Sequence, residues 1–170
     1  MEFTKNTRGF EELQFVIKAA SKDELRPNIN FIHVTEEYLE ATDGHRLHRS
    51  CETMGLLPGL YKVIKSTKKD VYMVPDESDL QYPDTERIWP KESPEPVELY
   101  PETYNSTPDA TFSLALAQIV RLSEKHSVSV TYLKDILSSS GSWSVAWSGG
   151  YDALLFQNGT KAALLMPLKG

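Results

Sequence analysis

The segment Ala41-Thr42-Asp43-Gly44-His45-Arg46-Leu47 reads as a sharp reversal of the chain. Glycine accepts a positive φ, and an Asp before it bonds neighbouring amides. An extended, aromatic-rich run leads in, and His45 and Arg46 precede apolar Leu47. The expected result is a polar rim beside an apolar floor. That is either a binding surface or a hairpin with charged ends.

Strands are expected on both sides of this turn. Ile29, Phe31 and His33 alternate as one strand, Tyr38 to Ala41 starts a second, and Leu47 to Cys51 forms a third. Upstream, residues 2–5 read as a short strand. Thr7 is placed to cap a helix from Arg8 to Ala20, in which Phe10, Leu13, Ile17 and Ala20 recur at helical spacing. Pro27 marks the break after it. Downstream, Leu60–Ile64 and Val71–Val74 read as a hairpin around Thr67-Lys68-Lys69-Asp70.

Composition changes from Pro75 to Pro108, where prolines fall at 75, 83, 90, 94, 96, 101 and 108 among acidic residues. Each proline lacks a donor, so this segment does not pair in the middle of a sheet. It reads as a surface connection, with a Pro-rich insertion at about 91–111. Order resumes at Phe112 with a helix carrying Leu116, Ile119 and Val120. A second helix spans Val130 to Leu137, and Gly141 ends it. Three strands follow, Trp143–Trp147, Ala153–Gln157 and Lys161–Leu168, turned by Gly149-Gly150 and Asn158-Gly159. The pattern is one strand-helix-strands unit repeated. It predicts a single α+β domain over 1–170 with helices on one face of antiparallel sheets.

Bulk properties narrow the function. The 170 residues are 40% hydrophobic, enough for a core. A net charge of −6 argues against wholesale coating of nucleic acid and leaves room for a local basic face. One cysteine, Cys51, forms no internal disulfide and fits a reducing, cytoplasmic location. No apolar run is long enough to span a membrane. No nucleophile elbow or phosphate loop is present, and no cofactor is implied.

Three segments together resemble bacterial DNA polymerase III beta subunits, the sliding clamps. The first is Met-Glu-Phe-Thr at the start followed by a helix and Ala-Thr-Asp-Gly-His-Arg-Leu (41–47). The second, Tyr82-Pro83-Asp84-Thr85-Glu86-Arg87-Ile88-Trp89-Pro90, is similar to the clamp connector Phe-Pro-Asp-Tyr-x-Arg-Val-x-Pro. The third, Leu164-Leu165-Met166-Pro167-Leu168, resembles the clamp tail Val-Val-Met-Pro-Met. Residues 130–137 resemble the second helix of a clamp domain. Thr85-Glu86 depart from the connector pattern, and the length fits one clamp domain plus an insertion rather than three.

The resemblance implies a non-enzymatic, clamp-like processivity factor in DNA replication. Its partners are the short apolar peptides of DNA polymerases and other replication proteins, of the Gln-Leu-x-Leu-Phe type. The carried-over rim is Thr42, Gly44, His45, Arg46 and Arg87; the apolar lining is Leu47, Pro83, Ile88, Leu164, Leu165 and Met166. Such a slot suits an extended peptide, which loses much entropy on binding. Double-stranded DNA is a further implied partner, encircled by a homo-oligomer, with Arg8, Lys18, Lys22, Arg121, Lys125 and Lys134 facing phosphate. The alternative is a monomeric peptide-binding decoy or regulator without DNA binding. A different class, a metal-dependent enzyme built on Asp43, His45 and His48 with His33, has the right ligand types. A three-residue offset on a strand, however, points His45 and His48 to opposite faces.

Overall fold

A computed structural model describes residues 1–91, 95–99, 112–113, 115–119, 127–139, 141–147 and 152–168. The chain divides into two compact units, Met1–Thr85 and Glu86–Gly170. The architecture is α+β, with antiparallel strands and few helices.

In the first unit, β1 (Glu2–Thr4) leads into α1 (Phe10–Ile17), followed by β2 (Ile32–Val34), β3 (Leu39–Thr42), β4 (Arg46–Ser50), β5 (Gly59–Ser66) and β6 (Asp70–Pro75). Spatial order is β1-β6-β5-β2-β3-β4. Three local expectations are corrected. Thr7 does not cap α1: Gly9, with φ 82°, is the N-cap, and the Thr7 hydroxyl accepts the Thr4 amide at 3.1 Å. The buried stripe of α1 is Phe10, Leu13, Phe15 and Val16, rotated from the expected one. Burying each such side chain stabilises by about 1.5–3 kcal/mol. The strand expected from Ile29 begins only at Ile32, because Pro27–Ile29 forms a 3-10 turn; Ile29 and Phe31 are buried ahead of it, Ile32 and Val34 are buried within it, and His33 is half-buried.

The β3–β4 hairpin pairs Thr42 with Leu47, Ala41 with His48, Glu40 with Arg49, and Leu39 with Ser50. This register assigns the two faces of the sheet. Leu39, Ala41, Arg46 and His48 face α1, where the Phe15 and His48 rings stack at 4.3 Å. Glu40, Thr42, Leu47 and Arg49 face the other way.

In the second unit, a 3-10 turn over Thr85–Ile88 precedes β7 (Val97–Leu99). Helix α2 is described at 112–113 and 115–119, where the run from Phe112 predicts a helix. Helix α3 (Val130–Leu137) is capped by Ser129, whose hydroxyl accepts the Tyr132 amide. It ends at Ser138, before Gly141. Strands β8 (Trp143–Ala146), β9 (Leu154–Asn158) and β10 (Lys161–Leu165) complete the order β10-β9-β8-β7. β7 is therefore an edge strand, the one place where a proline-flanked strand pairs readily. Gly159, at φ 56°, makes the β9–β10 turn as expected, whereas Gly149-Gly150 lie outside the described residues. Trp143, Phe156, Leu133 and Ile136 are fully buried.

Candidate functional site

The Asp43–His45 turn is built by its own side chains. The Thr42 hydroxyl donates to the Arg46 carbonyl at 2.6 Å and accepts the Gly44 amide at 3.1 Å. Asp43 Oδ1 accepts the amides of His45 and Arg46 at 2.9 and 3.1 Å. Gly44 sits at φ 89°. The turn is thereby fixed with Gly44 and His45 exposed.

Arg46 behaves differently from the rim cation that the motif implies. Its Nε donates to Asp43 Oδ2 at 3.0 Å, and its Nη2 donates to the Lys18 carbonyl at the end of α1. The side chain is on the helix side and buried. Leu47 lies on the opposite side and is 1% exposed.

Beside Leu47 lies a polar cluster that the motif reading missed. Glu40 is fully buried. Its Oε1 meets His33 Nδ1 at 3.0 Å and accepts the Thr85 hydroxyl at 2.7 Å. Its Oε2 accepts Arg49 Nε and Nη2 at 3.1 and 2.8 Å. Arg49 lies 3.8 Å from the centre of the Tyr38 ring, and His33 stacks on Tyr82 at 4.6 Å. Burial works to raise the Glu40 pKa. The His33 bond, the Arg49 charge and the Thr85 bond outweigh it and hold the carboxyl below its ordinary value. Burial, reinforced by the Glu40 charge, pushes the Tyr82 phenol upward. A period of two through Glu40 and Arg49 was the available signal: both flank the turn at matching distance. Thr85 gave none.

On the helix side, His48 is buried with Nδ1 against the Phe15 carbonyl at 2.7 Å, and burial pushes its pKa down to about 3. His33 and His48 thus face opposite sides of the sheet. Among the described residues, no group of three or more His, Cys, Asp or Glu is placed to hold a metal ion. The metal-enzyme alternative gains no ligand set.

Pro83 is exposed in the segment that carries Tyr82 and Thr85. In the second unit, Arg87 is exposed and Ile88 is 54% exposed. Leu164 and Leu165 are buried, and Met166 is 40% exposed. The Lys161 ammonium bonds Ser139 Oγ, just past α3, at 2.7 Å. Alternation then puts Ala163 and Leu165 on the α3 side of β10, with Leu164 on the other side and Met166 continuing it. Leu165 is core.

The cations expected to face DNA differ in their surroundings. Arg8 is paired with Glu52 at 3.2 Å, Lys22 is exposed, and the Lys134 ammonium sits 5.1 Å over the Phe112 ring. Lys18 is the C-cap of α1. Arg121 and Lys125 lie outside the described residues. α1 carries Glu11 and Glu12 in its first turn and no basic residue in its last. No helix among the described residues is long and apolar enough to cross a membrane.

No protein-family model matches the sequence, and no curated protein matches it. Solved structures do. The DNA polymerase III beta chain of Streptococcus pneumoniae superposes with a TM-score of 0.66 at 13% identity, over 100% of this chain and 65% of that one. The sliding clamp of Bacillus subtilis gives 0.64 at 15% identity, over 100% and 64%. The C. crescentus beta sliding clamp, solved with polyethylene glycol bound to a region assigned to beta-motif tethering, gives 0.64 at 14%, over 99% and 65%. The chain thus spans about 65% of the length of the first of these clamps, and at such identity the likeness is one of fold. What the comparisons establish is that this chain has the fold of bacterial DNA polymerase sliding clamps.

Proposed function

We propose that this protein is a non-enzymatic, clamp-like binding protein of DNA replication that takes short apolar peptides of polymerases or other replication partners. The observation that carries it is the placement of the motif residues within each unit. Thr42 and Leu47 lie on the side of their sheet away from α1, and Leu164 and Met166 on the side of β10 away from α3. The helix sides are filled by core. The contacts we assign are Gly44, His45 and Pro83 in the first unit and Arg87, Ile88 and Met166 in the second, with buried Thr42 and Leu47 in the one and buried Leu164 in the other as floor. Arg46 and Leu165 lie on the helix side of their own units and are assigned no contact. Methionine adapts to varied apolar side chains, and Arg87 suits a peptide carboxylate or carbonyl.

Of the two forms of this reading, the module that binds peptide without encircling DNA is favoured. Glu11 and Glu12 on α1 repel phosphate. A labelled peptide of the Gln-Leu-x-Leu-Phe type tests the site. Met166→Asp and Ile88→Asp, both at exposed positions, are expected to weaken binding at least tenfold, about 1.4 kcal/mol, with the melting temperature unchanged. Undiminished binding by both variants rejects the assignment. Light scattering over a range of concentrations separates module from ring.

A further inference from the structure

We propose that the β5–β6 hairpin is a binding surface for single-stranded nucleic acid, with Tyr72 as the stacking platform and Lys62, Lys65, Lys68 and Lys69 as phosphate contacts. Residues 62–70 hold four lysines and one acid, Asp70, in a chain of net charge −6. Positive charge is concentrated here and scattered elsewhere.

The pairing explains how the lysines come to one side. Lys62 pairs with Val74, Val63 with Met73, and Lys65 with Tyr72, with a shift between Val63 and Lys65. Three residues apart on an unbroken strand, Lys62 and Lys65 would point to opposite faces. The bulge at Ile64 absorbs the odd residue and turns both to the Tyr72 face. Val71 and Met73 are fully buried on the other face, while Tyr72 is 43% exposed. Tyr72 also pairs with Glu2 of β1, so its ring lies between Glu2 and Lys65 on the solvent side.

The turn that carries Lys68 and Lys69 is held from within and from outside. Thr67 Oγ1 accepts the amides of Lys69 and Asp70, each at 3.1 Å. Gln14 of α1 donates to the Thr67 carbonyl at 2.7 Å, and the Lys5 amide donates to the Lys69 carbonyl at 2.9 Å. Asp70 is engaged by Lys65 at 3.2 Å and by the Thr67 hydroxyl at 2.8 Å. Lys62, Lys68 and Lys69 form no ion pair among the described residues. A held turn with lysines on one side of an open aromatic ring suits a strand whose phosphates meet ammonium groups while a base stacks on the ring. A duplex hides its base faces from Tyr72, and an acidic peptide uses the lysines without the ring. None of these residues belongs to the proposed peptide site, so the two readings stand or fall separately.

The test is fluorescence anisotropy of the full chain with labelled oligo(dT) and oligo(U) of about 12 nucleotides, within the range a single binding fold covers. The same dT strand in a duplex and a polyglutamate peptide are the comparison probes. Single strands are expected to bind more tightly than either. The affinity should fall with salt at a log-log slope of about −2 to −3, as for three or four phosphates. Tyr72→Ala should weaken binding about tenfold or more and leave the slope intact, and Tyr72→Phe should retain binding. Lys68→Glu with Lys69→Glu should flatten the slope. The tighter of oligo(dT) and oligo(U) identifies the strand as DNA or RNA. All these positions are exposed, and matched thermal unfolding shows that the variants are folded. Duplex or polyglutamate bound as tightly as the single strand, with Tyr72→Ala neutral, overturns the proposal. So does a single strand that fails to bind, or binding indifferent to every hairpin variant.

Discussion

The Thr85 hydroxyl donates to Glu40 Oε1 at 2.7 Å, joining the end of the first unit to a fully buried carboxylate in its sheet. Arg49 closes the other oxygen from the neighbouring strand, so each Glu40 oxygen has a charged or hydroxyl partner. A buried charge with its partners intact is tolerated; one stripped of them is not. Arg49→Ala is therefore expected to cost about 3–5 kcal/mol in urea unfolding. Thr85→Val, which removes a single hydroxyl, should cost about 1–3 kcal/mol. A neutral Arg49→Ala variant would show that Glu40 is solvated in the native state.

His48 gives the first unit an acid sensitivity that begins well above the carboxylate range. Its folded pKa, pushed down to about 3, lies below the ordinary 6.5, so the unfolded chain binds the proton first. Stability is fully present above about pH 6.5 and falls by up to about 1.4 kcal/mol per pH unit as pH drops below that. Glu40 adds a second loss lower down. Its folded pKa is also depressed, so its contribution is present above about 4.5 and is lost as pH falls through the folded value. Urea midpoints measured between pH 7 and pH 5 test the first loss. His48→Phe, which keeps a ring against Phe15, should remove most of that slope whatever it does to stability at pH 7.

The hairpin at 41–47 was legible in the sequence because its determinants are local: an Asp, a Gly and a period of two on each side. The same holds for the β5–β6 hairpin and for α3, whose expected span matches the observed Val130–Leu137. Two kinds of feature were hidden. Gly9 rather than Thr7 caps α1 because the backbone there goes left-handed, and the buried stripe runs through Phe15 and Val16, which face the sheet. Arg46 looked like a rim cation in the motif, yet its direction depends on where α1 ends, since the Lys18 carbonyl receives it. Thr85 was hidden for the same reason: it reaches Glu40 from 45 residues away. Contacts set by the tertiary path leave no local trace.

Gly44 tests the turn itself. At φ 89° a side chain is strained, and a Cβ there would stand 2.7 Å from Arg26 Nη1. The Arg26 tip is flexible and can move aside, so the backbone term dominates. Gly44→Ala is expected to destabilise by about 1–2 kcal/mol. If the turn is part of the peptide site, the same variant should also weaken the peptide, measured where it is fully folded. Gly44→Ala at parental stability would mean that the turn readily adopts another conformation.

Arg46→Lys separates a structural role from a recognition role. Lysine keeps the charge near Asp43 but lacks the planar fork that reaches both Asp43 and the Lys18 carbonyl. Losing the Lys18 contact leaves a carbonyl at the end of α1 without its guanidinium donor, for an expected cost of about 1–3 kcal/mol. Hydrogen exchange should show faster opening of amides near Ala19 and Ala20, which close the last turn of α1. Because the side chain is on the helix side, peptide affinity should stay within about threefold of the parent, less than 1 kcal/mol. A large loss of affinity with unchanged exchange at α1 would return Arg46 to the rim.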